Sequence, residues 1–141
     1  MKKQFLAAFA ALALFAGGCV STLAFDAKNP LVSYYAAVAD YNGAKSLALA
    51  YVSIPSSTKA EAAVVDSYVK KGDKAIGEVE VLRAQCADAA PTLTTVTPSA
   101  ATAARNAAIA ACLPTTRLEA VGKILQVVAS ELRARVLKGG K

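Results

Sequence analysis

Five prolines determine where helices can form in this 141-residue chain. A proline removes a backbone donor and clashes with the preceding turn, so it fits the first position of a helix but interrupts the interior. The five are Pro30, Pro55, Pro91, Pro98 and Pro114. After the first 29 residues they leave four segments long enough for a helix, and only residues 91–98 are predicted to be an extended connector. The chain is therefore predicted to fold as a set of separate helices.

The first segment is predicted to form a helix that is capped by Asn29, has Pro30 at its first position and runs to Ile54. The pair Asn42-Gly43 is the point at which this helix could break into two. Four tyrosines crowd the segment: Tyr34, Tyr35, Tyr41 and Tyr51. Because tyrosine has a flat apolar ring and a polar tip, they could form a stacking surface for sugar or peptide, or pack in the core. Core packing is the interpretation that we favour.

The later segments carry capping boxes and a heptad pattern. Thr58 and Glu61 fit a capping box at the start of the second helix. Small and apolar residues then follow at steps of three and four: Val65, Tyr68, Gly72, Ala75, Val79, Leu82, Cys86 and Ala89. Residues 99–112 are rich in alanine and predict a short helix, and a second capping box runs from Thr116 to Glu119. The last helix has the apolar stripe Leu118, Val121, Leu125, Val128 and Leu132. We therefore predict an all-α fold, a small antiparallel bundle of three to four helices.

The amino-terminal residues have the features of a secretory signal peptide. Lys2 and Lys3 are followed by an uncharged apolar run over residues 5–16. This run is shorter than the roughly 20 residues that a membrane-spanning helix needs, but it suits the core of a signal peptide. Two glycines interrupt the run directly before Cys19. The pattern predicts export from a bacterial cytoplasm.

The stretch A-G-G-C that ends at Cys19 resembles the lipobox of bacterial lipoproteins, although Ala16 stands where the family most often has leucine. The resemblance implies that cleavage removes residues 1–18 as the signal peptide. It also implies that the Cys19 sulfur carries a diacylglycerol and that the new amino terminus is acylated, by chains such as palmitate. Residues 19–30 would then be the lipidated cysteine and its tether, and residues 31–141 the helical domain.

Two further features concern the location of the mature protein. Val20, rather than an aspartate, follows the cysteine, which in enterobacteria-like sorting implies the outer membrane with the domain facing the periplasm. The alternative is ordinary cleavage after Ala24, because Thr22-Leu23-Ala24 has the A-x-A form. That cleavage would release a soluble periplasmic helical protein beginning at Phe25. A third hypothesis is a lysis or exclusion lipoprotein carried by a phage or plasmid, since such proteins are also small, anchored and helical.

Two cysteines, Cys86 and Cys112, remain if Cys19 is lipidated. In an oxidising periplasm an even number of cysteines predicts a disulfide, which here would close a loop of about 27 residues. The alternative is a pair of buried thiols in an alanine-rich core. Because the chain has no histidine and no close pair of cysteines, we expect no metal site.

The chain offers few groups for catalysis. Histidine is absent, which removes the commonest general base near neutral pH. The sequence contains no glycine-rich phosphate loop and no nucleophile-elbow motif. Glu78 and Glu80 are two positions apart, so on a helix they point to different faces and cannot act as a pair. We therefore expect neither enzymatic activity nor a cofactor.

Positive charge is concentrated toward the carboxyl terminus. Residues 98–141 carry seven basic and two acidic side chains. The cations that we consider for contact with an anionic surface are Arg133, Arg135, Lys138 and Lys141. Their partner could be peptidoglycan, anionic lipid or an envelope protein, or the charges could simply complement the helix dipole and keep the surface soluble. Nucleic acid is not an expected partner of an exported protein.

The two ends of the chain together resemble the murein lipoproteins, in which lipid holds one end and a terminal lysine is joined to peptidoglycan. The resemblance is confined to the ends, because the interior prolines exclude one continuous heptad rod. We therefore predict a cell-envelope lipoprotein that is held to a membrane through Cys19. Its expected role is structural, binding or partner-modulating.

Overall fold

The computed structural model describes residues 25–26, 28–90 and 97–139, and the regular structure in these ranges is entirely helical. Four helices follow one another along the chain: α1 (Pro30–Val52), α2 (Lys59–Ala89), α3 (Pro98–Cys112) and α4 (Thr115–Gly139). The all-α prediction is confirmed. Most of the predicted connector, residues 91–96, lies outside the described residues.

Helices α1, α2 and α4 form an up-down-up bundle. The hydroxyl of Tyr51, near the end of α1, donates to Glu61 at the start of α2 over 2.9 Å, so these helices are antiparallel. Gly122 faces Ala37 and Gly139 lies against Tyr51, so α4 runs in the same direction as α1. Helix α3 belongs to the connection between α2 and α4 and has no buried residue. The prediction of a small antiparallel bundle is confirmed, and its core contains three helices.

The start of α1 differs in detail from the prediction. The helix begins at Pro30 with Asn29 in the capping position, but the Asn29 side chain makes no capping bond. Its amide nitrogen instead donates to the Asp26 carboxylate over 2.9 Å, and the backbone N–H of Lys28 donates to the same carboxylate over 2.8 Å. The helix continues through Asn42-Gly43 without a break and ends at Val52, two residues before the predicted end.

One of the two predicted capping boxes is present. At the start of α2, the Glu61 N–H donates to the Thr58 hydroxyl over 3.2 Å, and the Thr58 N–H donates to the Glu61 carboxylate over 2.7 Å. The box predicted at Thr116 is wrong, because α4 already begins at Thr115. The Pro114 carbonyl accepts from the N–H groups of the third and fourth following residues over 3.0 and 3.1 Å, so it supplies the first helical acceptor.

The core has the faces that the heptad pattern predicted. All five residues of the α4 stripe are buried, as are Val65, Gly72, Ala75, Val79 and Cys86 of α2. Helix α1 contributes alternating tyrosines and alanines: Tyr34, Ala37, Tyr41, Ala44, Ala48 and Tyr51. The Tyr41 ring fills the space beside Gly72, where a Cβ atom would collide with it. The absence of a side chain at Gly72 therefore leaves room for the Tyr41 ring between α1 and α2.

Candidate functional site

The two ends of the predicted anchoring system, Cys19 and Lys141, both lie outside the described residues. Phe25, six positions after Cys19, is the first residue that the structure describes, and its ring packs over Gly122 of α4. The adjoining Asp26 accepts hydrogen bonds that hold the approach to α1. Phe25 and Asp26, the described part of the predicted tether, therefore lie at the end of the bundle where α1 begins.

Cys86 and Cys112 form a disulfide in the structure, with 5.8 Å between their Cα atoms. The bond joins the last turns of α2 to the end of α3. Close by, the Arg105 guanidinium donates to the Ala87 carbonyl over 3.2 Å. Helix α3 buries no side chain of its own. The disulfide, the Arg105 hydrogen bond and the partly buried Ile109 connect it to the rest of the domain.

Arg133 is engaged inside the bundle. Its guanidinium donates to the Asp40 carboxylate over 3.1 Å and to the Asp40 carbonyl over 3.3 Å, and only 24% of the arginine side chain is exposed. This ion pair connects the middle of α1 to a residue about two turns before the end of α4. Arg133 therefore has a partner within the domain, and its contact with an anionic surface stays a prediction.

Arg135 and Lys138 remain exposed at the far end of the bundle, and neither forms an ion pair within the described residues. They border a cleft of about 260 Å³, which is also lined by Tyr51, Glu61 and Gly139. The cleft lies where α1 ends, α2 begins and α4 ends. Two unpaired cations at the rim of one concave surface could hold an anionic group.

The carboxylate of Glu61 in this cleft is already satisfied. It accepts hydrogen bonds from the Thr58 N–H over 2.7 Å, the Thr58 hydroxyl over 2.8 Å and the Tyr51 hydroxyl over 2.9 Å. The Thr58 N–H, and after it the two hydroxyls, lower the pKa of Glu61. The carboxylate is therefore charged at neutral pH and serves to position Tyr51 and the start of α2. It is poorly suited to proton transfer.

The sequence did not predict this cleft. The capping-box pattern found Glu61, and the charge count found Arg135 and Lys138, but nothing linked the three. Tyr51 was expected in the core, which is correct for its ring, since the residue is 5% exposed. The contact between its hydroxyl and Glu61 depends on how α1 and α2 are rotated against each other, which short sequence patterns do not specify.

Core packing of the tyrosines is confirmed for three of the four. Tyr34, Tyr41 and Tyr51 are buried, whereas Tyr35 is 43% exposed. The Tyr41 hydroxyl donates to the Asp73 carboxylate over 2.8 Å, and Lys45 forms an ion pair with the same carboxylate. Burial raises the pKa of Tyr34 to about 12. These contacts give the tyrosines structural roles and leave no exposed row of rings on α1.

Within the described residues, no helix is both long and apolar enough to cross a membrane. The same part of the chain contains no cluster of acidic or cysteine side chains that could hold a metal ion. Comparison of the chain with protein-family models, curated proteins and solved structures gave no match.

Proposed function

We propose that this protein is a lipid-anchored, non-catalytic component of the bacterial cell envelope whose bundle reaches from the membrane toward an anionic surface. The observation that carries the proposal is the separation between the proposed anchor and the free cations. The tether joins the bundle where α1 begins, whereas Arg135 and Lys138 lie where α1 ends. A helix of 23 residues is about 35 Å long.

The short tether would keep the end of the bundle where α1 begins close to the lipid. Six residue steps from Cys19 to Phe25 span at most about 22 Å when fully extended. A bundle that stands on this tether places Arg135 and Lys138 on the side away from the lipid. Peptidoglycan is therefore the anionic partner that we propose, ahead of the lipid surface in which the acyl chains would lie. The Cys86–Cys112 disulfide supports an oxidising compartment such as the periplasm.

The anchor is tested by replacing Cys19 with serine. The parent chain should carry a mass increment for its acyl chains and should sediment with membranes, because each buried CH₂ contributes roughly 0.8 kcal/mol. The Cys19→Ser variant should lose the increment and move to the soluble fraction. A matched Ser21→Ala variant alters the tether but keeps the cysteine, and it should stay with the membranes. Unmodified protein that begins at Phe25 would contradict the anchor and support the soluble alternative.

Binding to peptidoglycan is tested with purified sacculi. Protein should be retained at 0.1 M salt and released at 1 M, because the Debye length falls from about 10 Å to about 3 Å. Replacing Arg135 and Lys138 with alanine should weaken retention severalfold. A Lys71→Ala/Lys74→Ala variant is the matched control, because it removes two exposed cations from the middle of α2 and should bind like the parent.

Three other results of this experiment would change the proposal. If both double variants bind equally and less than the parent, the net charge of the protein, and not the far end of the bundle, is responsible for binding. In sacculi isolated from cells that make the protein, retention after boiling in detergent that is lost on deletion of Lys141 would indicate a covalent link. Absence of retention at either salt concentration would overturn the peptidoglycan contact and leave the cations as a solubilising helix end.

A further inference from the structure

Helix α1 carries little charge, and only one side of it faces the core. Its two charged residues, Asp40 and Lys45, are both used in ion pairs with α4 and α2. The side that faces outward carries a second series of residues at steps of three and four, which we name the outer seam: Val32, Tyr35, Ala39, Asn42, Ser46 and Leu49. Every member is exposed, with Val32 at 68% and Leu49 at 42%. A side of a helix that is both exposed and uncharged is a candidate surface for contact with another helix.

Gly43 lies beside the outer seam and has no role inside the domain. A Cβ atom at this position would meet no atom within 4 Å, and the helix is regular there. Glycine in a helix interior is less favourable than alanine by about 1 kcal/mol. Its neighbours on the outward side, Ala39 and Ser46, are also small. The middle of the outer seam therefore allows the backbone of another helix to come close.

We propose that the outer seam binds a second copy of this chain, with the two α1 helices side by side and parallel. In a parallel two-fold helix pair the residues along the seam lie next to their own copies, so a charge there would meet a like charge. Residues 19–141 carry 14 basic and 10 acidic side chains, yet the outer seam has no charged residue. The charge pattern therefore allows self-association through this face without like charges meeting.

Asn42 stands in the middle of the outer seam and supports the same arrangement. Across a parallel two-fold axis its amide would face the amide of the other copy, where the N–H of one can donate to the oxygen of the other. A single asparagine in a heptad seam is a known means of fixing register and the two-stranded state. Apolar Val32, Tyr35 and Leu49 lie on either side of it and would bury against their own copies.

The parallel orientation rests on the proposed anchor, because it places both Cys19 residues at the same end of the dimer. A membrane is a weaker candidate for this face. Helices that lie in a membrane surface combine large apolar residues with flanking lysine or arginine. The middle of the outer seam is small and polar. Lys45 of α1 is paired with Asp73, and Arg83 of α2, which lines a cleft with Tyr35, is paired with Glu80.

Cysteine crosslinking of the full chain in bacterial membranes tests the dimer. Ala39→Cys should form a disulfide-linked species of twice the mass on mild oxidation, because the two copies of position 39 face each other. Val127→Cys, on α4, is the matched control because residue 127 is also exposed, at 58%, and it should crosslink severalfold less. The parent chain reports any reaction at Cys19, and peptide mapping should find Cys86 still bonded to Cys112.

A mixture of the Ala39→Cys and Ser46→Cys chains reports the orientation. Crosslinks in the mixture but in neither variant alone would indicate antiparallel helices and overturn the parallel arrangement. Crosslinking of Ala39→Cys at the level of Val127→Cys would overturn the dimer. The Cys19→Ser membrane assay is independent of both outcomes, so failure of the anchor is distinguishable from failure of the dimer.

Charge substitution gives a second test, which does not depend on cysteine chemistry. Ala39→Glu and Ala39→Lys should each convert the detergent-solubilised dimer to a monomer, because like charges would face each other. Mixing the two variants should restore a dimer in light-scattering measurements, since opposite charges then meet. A dimer that persists in each variant alone would place the interface elsewhere. A mixture that stays monomeric would also count against the proposed register.

Discussion

Reduction of the Cys86–Cys112 disulfide is expected to lower the free energy of unfolding by about 3.6 kcal/mol. The expected loss comes from the unfolded chain, which regains the conformational freedom of a loop of about 27 residues when the crosslink is cut. For a domain of this size the corresponding fall in melting temperature is roughly 10–20 °C. Thermal unfolding followed by circular dichroism, with and without reductant, measures the change.

The position of the disulfide adds a local effect to the global one. Helix α3 has no buried residue, so the reduced protein should release α3 before the three core helices unfold. Amide hydrogen exchange should therefore rise more in α3 than in α1 or α4. A Cys86→Ser/Cys112→Ser variant is the control. Its melting temperature and hydrogen exchange should match those of the reduced protein and should not change when reductant is added. Free alkylation of both thiols in the unreduced native protein would contradict the crosslink.

The sequence was informative about the fold because its signals were local and repeated. Proline positions and heptad spacing predicted the helices and their buried faces, including the whole α4 stripe from Leu118 to Leu132. The prediction failed at a helix start, where Pro114 served as the first acceptor and made the capping box at Thr116 unnecessary. Which of two adjacent residues begins a helix depends on a small energy difference that a four-residue pattern does not determine.

The candidate site was less predictable because it depends on contacts between helices. Nothing in the spacing of residues links Arg133 to Asp40, which are 93 positions apart. The sequence grouped Arg133 with the cations of the carboxyl-terminal tail, whereas in the structure its guanidinium lies against Asp40 of α1. The outer seam of α1 was present in the sequence from the start. It becomes informative only after the structure shows that the other seam of the same helix fills the core.

Replacing Tyr41 with alanine is expected to lower the free energy of unfolding by about 3–5 kcal/mol, the usual cost of removing a large aromatic side chain from a core. Tyr41 is fully buried, and its ring occupies the space beside Gly72. Because glycine has no side chain that could move into the gap, the cavity should persist and the loss should lie at the upper end of this range. Urea unfolding followed by circular dichroism provides the measurement.

Two phenylalanine variants separate the ring of Tyr41 from its hydroxyl. Tyr41→Phe keeps the ring but loses the bond to Asp73, so we expect a loss of about 1–2 kcal/mol. Tyr34→Phe is the matched control, because the Tyr34 hydroxyl is buried without a hydrogen-bond partner in the described part of the chain. Removing an unsatisfied hydroxyl should leave stability unchanged or raise it.

Equal losses in the two phenylalanine variants would contradict the hydrogen-bonding difference between them. A Tyr41→Ala variant as stable as Tyr41→Phe would show that the ring does not pack against Gly72.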